Sequence, residues 1–179
     1  MESAMIRQLS ASDAEAFSAL RREVVAVNPL GMGLTLDEEL TRPIEGFREQ
    51  LSAHAPSQVL GAFVGERLVS TAGILWPSKY ASGAHKALLW GVFTSPAFRR
   101  RSLARQLSTK AIEHAFSNGA RRVYLGVYVP NPEATKLYES LGFSATGREL
   151  EVVKLGNEFF DIQYMSLGRA PARPLNQRR

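Results

Sequence analysis

Apolar and polar residues alternate from Met5 to Leu9, the period of a half-buried strand. The period then lengthens. Phe17, Leu20, Val24 and Val27 recur at helical spacing behind Asp13, a good N-cap, and Asn28-Pro29 stops the run. Gly31-Met32-Gly33 reads as a flexible loop. A second helix is expected from Asp37 to about Ala53, with Leu40, Ile44, Phe47 and Leu51 on one face. Pro43 falls inside it and predicts a kink or a split, because proline removes a backbone donor and clashes with the preceding turn.

From Gln58 the pattern becomes strand-like. Gln58 to Val64 and Arg67 to Leu75 flank Gly65-Glu66, a Gly-X pair suited to a tight hairpin. After a loop from Pro77 to Gly83, Lys86 to Thr94 is an apolar run of buried-strand length, broken by Ser95-Pro96. Arg100 to Ser117 reads as a helix with Leu103, Leu107, Ala111 and Phe116 on or near one face, stopped by Asn118-Gly119. Arg122 to Val129 is a strand ended by Pro130. Asn131 caps a short helix carrying Ala134, Leu137, Tyr138 and Leu141. Glu149 to Leu155 and Phe159 to Leu167 form a final pair of strands around Gly156-Asn157. The predicted order is βααβββαβαββ, one α/β (α+β) domain over residues 1–168, with a mixed sheet flanked by helices.

Charge changes this picture locally. The 179 residues carry 22 Lys+Arg against 17 Asp+Glu, a net charge of +5. Four of the arginines lie in the last eleven residues, 169–179, a basic tail expected to be disordered. Arg99, Arg100, Arg101 and Arg105 form a denser cluster. Without both groups, 14 basic residues face 17 acidic ones, so the body is mildly acidic outside one spot. There is no cysteine, which excludes disulfides, thiolate zinc sites and a cysteine nucleophile. His54, His85 and His114 are far apart and lack metal-ligand spacing, so no metal is expected. Apolar runs such as Ala87 to Phe93 fall well short of the ~20 residues that span a bilayer. Residues 1–7 hold no apolar signal core, so the expectation is a cytoplasmic protein away from membranes.

The arginine cluster sits where a strand turns into a helix. A helix N-terminus offers unpaired N–H groups and a positive dipole end, and a turn wrapping into it is a ready anion site. Arginines there suit phosphate through bidentate contacts. On charge and position alone, a phosphate-bearing ligand and a solvated basic helix start are both open.

The surrounding residues resemble a known family. Val92, Pro96, Phe98, Arg99, Ser102 and Ala104 match a V-x-x-P-x-[FY]-R turn followed by [QR]-x-x-G-x-[GA]. Downstream, Leu125-Gly126-Val127, Asn131-Pro132-Glu133-Ala134 and Leu137-Tyr138-Glu139-Ser140-Leu141-Gly142-Phe143 match L-x-V … N-x-x-A-x-x-[LF]-Y-x-x-x-G-F. Gly156 to Asp161 and Met165-Ser166-Leu167 are similar to the G-x-x-[YF]-x-D-x-x-x-M-x-L close of small-substrate members. Over about residues 4 to 168 the chain resembles the GNAT superfamily of N-acetyltransferases. Ser102 departs from the pattern, standing where the family has its first loop glycine. At a helix start with negative φ it would fit at little cost.

The resemblance implies a mostly antiparallel sheet whose middle strands splay apart, with acetyl-CoA as co-substrate. It implies that backbone amides of Arg100, Arg101, Ser102, Leu103, Ala104 and Arg105 hold the pyrophosphate beside Arg99. It implies that Val92 and Thr94 pair with pantetheine, that Asn131 bonds the pantetheine side, and that Tyr138 is the catalytic acid to the departing thiolate. Asn131 is equally a plain N-cap and Tyr138 equally a core aromatic. The acceptor amine must be neutral to attack. Many relatives carry a Glu on the fourth strand and this chain has none there. His85, Glu151, Glu158 or water are the candidates for the base. Asp37, Glu38, Glu39, Glu45 and Glu49 hint at a cationic acceptor or form a solvated helix face. The expectation is acetyl transfer to a primary amine of a small molecule, without nucleic acid and with a homodimer as one arrangement. A protein or peptide N-acetyltransferase and a non-catalytic acyl-CoA-binding module are the alternatives.

Overall fold

The computed structural model describes residues 3–52 and 54–169. The end of the expected second helix at Ala53, and all but the first residue of the basic tail, lie outside the described residues. Among the described residues seven strands form one sheet: β1 (Met5–Gln8), β2 (Gln58–Val64), β3 (Arg67–Leu75), β4 (Lys86–Thr94), β5 (Arg122–Val129), β6 (Ser144–Leu155) and β7 (Glu158–Gly168). Their spatial order is β1-β2-β3-β4-β5-β7-β6. All neighbours are antiparallel except β4 and β5, which are parallel.

Helices α1 (Ala14–Val27) and α4 (Ile44–Leu51) cover one face of the sheet. Phe17 and Phe47 meet edge to face at 6.1 Å there, over Val59, Phe63 and Leu68. Helix α5 (Leu103–Ser117) covers the other face, together with α6 (Pro132–Ser140). Leu107, Ala111 and Ala115 pack against Ala87, Leu89 and Val123. Each fully buried Leu, Val or Phe contributes about 1.5–3 kcal/mol, so the two apolar seams hold the three layers together.

Between α1 and α4 lie α2 (Pro29–Met32) and α3 (Leu36–Thr41). The expected long helix is therefore split at Arg42-Pro43, as Pro43 predicted; both residues are extended, with φ −69° and −68°. The expected loop at Gly31-Met32-Gly33 is instead largely helical. Asn28 accepts from the Gly31 N–H at 3.1 Å, Pro29 supplies the first helical residue, and Gly33 closes the turn at φ 67°. Gly33 also permits close approach to β5: a Cβ there would lie 2.4 Å from the Tyr128 ring. Strand β6 begins five residues earlier than expected. Its first half is polar and exposed, and pairing with β7 sets its extent.

The middle of the sheet opens. Strands β4 and β5 pair only through Lys86–Arg122, Ala87–Val123 and Leu88–Tyr124. Beyond that, β4 bulges: Thr71 and Gly73 of β3 face Phe93 and Trp90, so β4 carries one extra residue. Gly91 takes φ 61° at the bulge, a left-handed conformation that glycine adopts without the Cβ clash.

Candidate active site

The gap between β4 and β5 is a cleft of about 1120 Å³. Its floor is Leu88 to Thr94, its far wall Tyr124 to Tyr128, and its ends the arginine turn and α6. Past Leu88 no ladder pairs join the two strands, so the backbone groups on the β4 edge facing β5 are open to a ligand amide. Val92 and Thr94 both line this edge. Thr94 is steadied from behind, where its hydroxyl lies 2.8 Å from the Ser70 hydroxyl.

The arginine turn is tighter than a helix start. Arg100 and Ser102 both adopt positive φ, 62° and 60°. Helix α5 therefore begins at Leu103 rather than Arg100, because left-handed residues cannot continue a right-handed helix. This corrects the expectation of negative φ at Ser102. The glycine that the family pattern favours there would carry no penalty, whereas serine pays a left-handed cost of about 1–2 kcal/mol. Ser102 makes no side-chain cap bond, and the first bond into the helix runs from the Gln106 N–H to the Ser102 carbonyl. Among the described residues the N–H groups of Leu103, Ala104 and Arg105 have no partner, which leaves them free for an anion.

Arg99, Arg100, Ser102, Leu103, Ala104 and Arg105 all line the cleft. Arg101 does not. Its guanidinium lies 4.9 Å from the Phe98 ring centroid, outside the lining. Arg105 is also tied down, donating to the Ser140 hydroxyl and joining the start of α5 to the end of α6.

Asn131 caps α6, accepting from the Ala134 N–H at 3.2 Å, and also lines the cleft. Tyr138 is 8% exposed and stacks edge to face on Phe143. Burial pushes its phenol well above the usual range. Among the described residues its hydroxyl has no hydrogen bond, yet it is not among the fully buried unpartnered atoms; Tyr138 lines the cleft, and its hydroxyl opens there.

The three residues weighed as a base lie elsewhere. His85 precedes β4 at the paired end of the β4–β5 ladder, where its carbonyl accepts from the Arg121 and Arg122 N–H groups. Glu151 lies at a register break in the edge strand β6, at φ 53°. Glu158 is exposed in the β6–β7 hairpin. None lines the cleft. The acidic run is largely occupied with structure. Glu38 completes a capping box with Thr35, Glu45 pairs with Arg48, and Glu39 is buried against Arg21.

Sequence reasoning passed over Arg21, Trp90, Tyr128 and Tyr164, all of which line the cleft. Tyr164 donates to Glu149 Oε2 at 2.7 Å, an interaction that raises its phenol pKa. Arg21 alone carried a signal. It stands four residues after Phe17 and three before Val24, a charged residue on an apolar helix stripe.

Comparison with known proteins supports the same reading. Residues 28–143, well over half the chain, match the acetyltransferase (GNAT) family. A spermidine N(1)-acetyltransferase of Vibrio cholerae is 28% identical over 82 residues, 45% of this chain and 47% of its own length. A mycothiol acetyltransferase of Thermobispora bispora is 33% identical over 136 residues, 74% of this chain and 43% of its own length. The chain thus spans less than half the length of these curated relatives. A Salmonella typhimurium acetyltransferase structure solved with its cofactor acetyl-CoA shares the fold, with a TM-score of 0.74 at 19% identity over 96% of this chain and 99% of that one. The motifs, the opened sheet and the family match coincide on the same residues, and the chain belongs to the GNAT family of acetyltransferases.

Proposed function

We propose that this protein transfers an acetyl group from acetyl-CoA to a primary amine of a small-molecule acceptor by direct attack on the thioester. The observation that carries the reading is the opened β4–β5 edge running into a left-handed, arginine-rich turn. The residues fit such a ligand: unpaired N–H groups of Leu103, Ala104 and Arg105 suit a pyrophosphate, with Arg99 and Arg100 beside them. Acetyl-CoA supplies an activated acyl carbon and a thiolate leaving group.

Each remaining part of the chemistry falls to the chain. The β4 edge at Val92 and Thr94 takes the pantetheine amides, and its N–H donors stabilise charge on the thioester oxygen. Tyr138 offers its hydroxyl to the departing sulfur. A phenol with a raised pKa is a weak acid, so its contribution is a hydrogen bond first and a proton second. Asn131 caps α6 and uses its amide side toward the cofactor arm. The amine nitrogen forms the new bond to carbon as the C–S bond breaks, and its proton leaves through Tyr164, which relays to Glu149. The whole assembly is expected to act as a single domain over residues 1–168.

An acceptor screen that follows release of free CoA from acetyl-CoA tests this function. CoA release with at least one small amine is the expected result. Acetyl-CoA binding without turnover on small amines, peptides or proteins would instead favour a non-catalytic module, and turnover on peptides alone would move the acceptor to protein N-termini or lysines.

A further inference from the structure

Arg21 is 6% exposed and its side chain is locked on every side but one. Nε donates to Glu39 Oε1 at 2.5 Å and Nη2 to Oε2 at 2.9 Å. The rings of Phe17, Phe47 and Phe93 surround the guanidinium at 5.6, 5.8 and 5.5 Å. Among the described residues Nη1 has no hydrogen bond, and it is not among the sealed, unpartnered atoms. Since Arg21 lines the cleft, that remaining edge opens into it. Phe93, which it touches, lies two residues past the Gly91 bulge. A rigid arginine with one free donor edge therefore stands in the cleft wall beside the β4 bulge.

The local charge is positive. Glu39 is 1% exposed and answers Arg21, while Arg42, held on the far side of the cluster at 4.3 Å from the Phe47 ring, adds a second cation. Around Arg21 two cations therefore face one anion, while Glu149, which accepts from the lining residue Tyr164, is a separate carboxylate. In the half of the cleft formed by α1, α2, Trp90, Tyr128 and Tyr164, Arg21 is the one charged lining residue among those described. The Arg21 side of this wall favours an anion, and the amine is left to the side of Tyr164 and Glu149.

We infer that Arg21 is a substrate-recognition residue whose free guanidinium edge binds a carboxylate on the acceptor, so that the acceptor is an amino-carboxylate rather than a polyamine. The inference rests on the acetyl-transfer reading for the identity of the cleft, but it concerns binding and is tested by binding. Free L-amino acids, and the amines that lack only their carboxylate, are titrated calorimetrically into the full chain saturated with CoA. At least one amino acid should bind about tenfold or more tightly than its matched amine, the scale of one charge-assisted hydrogen bond. The paired variant R21M/E39M removes both charges together, so neither is left buried alone. It should lose that preference. If circular dichroism shows it unfolded, R21K supplies the test: it keeps the charge, loses the fork and should reduce the preference. Amines binding as well as amino acids, a preference that survives in the folded variant, or no binding by any probe would overturn the inference. CoA release from amines without a carboxylate preference would overturn it while leaving acetyl transfer intact. Amino-acid binding without CoA release would do the reverse.

Discussion

Thr71 Oγ1 on β3 donates a 2.8 Å hydrogen bond to the Gly91 carbonyl on β4, where the strand carries its extra residue. Thr71 is fully buried, so this bond satisfies a carbonyl that the bulge has withdrawn from the ladder. It ties the shape of the cleft floor to a side chain outside the cleft. Thr71→Val keeps the shape and removes the donor. The expected cost is about 0.5–1.5 kcal/mol of stability, the net value of one hydrogen bond to a half-buried carbonyl. Acetyl-CoA affinity should fall with it, read by denaturant unfolding and calorimetry. Unchanged affinity would separate the bulge from cofactor binding.

Ser102 holds a left-handed backbone with no cap bond to repay it. Ser102→Gly should hold stability or raise it by up to ~1 kcal/mol, the left-handed cost less the added freedom of the unfolded chain. Ser102→Val should lower it by about 1–2 kcal/mol and weaken acetyl-CoA binding, because a β-branched residue suits positive φ least. Chemical denaturation of the three proteins checks the order Gly, Ser, Val.

Arg100 and Arg101 are adjacent in sequence, yet only Arg100 is among the residues that line the cleft. Arg100 lines the cleft, while the Arg101 guanidinium stacks on Phe98. Arg100→Glu should weaken acetyl-CoA binding by about tenfold or more, and Arg101→Glu by less, since only the former reverses the charge of a side chain that lines the cleft. Equal losses would mean that the cluster acts through its summed field instead.

Tyr138→Phe should lower turnover by about tenfold or more while acetyl-CoA affinity is kept, because the ring fills the same space and only the donor is lost. Its pH behaviour has a definite sign. Burial raises the phenol pKa above its unfolded value near 10, so the folded state holds the proton more tightly. Stability from this group is complete below about pH 10 and falls as pH rises past it. The donor therefore stays protonated through the neutral range. A pH–rate profile should show no alkaline limb from Tyr138 below about pH 10, and the variant should lose part of the alkaline destabilisation.

Much of the architecture could be read from period alone. Helices α1, α5 and α6 followed from local spacing, because each buries one face, and strands β2 to β5 from short apolar runs bounded by turn residues, because helices cover both faces of the sheet. The first half of β6 could not, since its residues are polar on both sides and pairing with β7 alone makes it a strand. Helix α2 was hidden for another reason. Its Asn28 cap and Gly33 closure are legible, but Gly31 within so short a helix and Gly33 at its end resemble a loop until Tyr128 is seen packed against Gly33.

The same division runs through the site. The sequence by itself determined the arginine turn, the Asn131 cap, Tyr138 and the family, because these lie in contiguous motifs whose spacing is their meaning. The tertiary structure alone decided that Ser102 is left-handed and that Arg101, stacked on Phe98, is not among the residues lining the cleft. It also placed His85, Glu151 and Glu158 outside the cleft and set Arg21 against Glu39 with one edge open. Those facts depend on backbone sign at single residues and on partners far apart in the chain, such as Arg21 and Glu39, which are 18 positions apart. Local spacing carries no information about either.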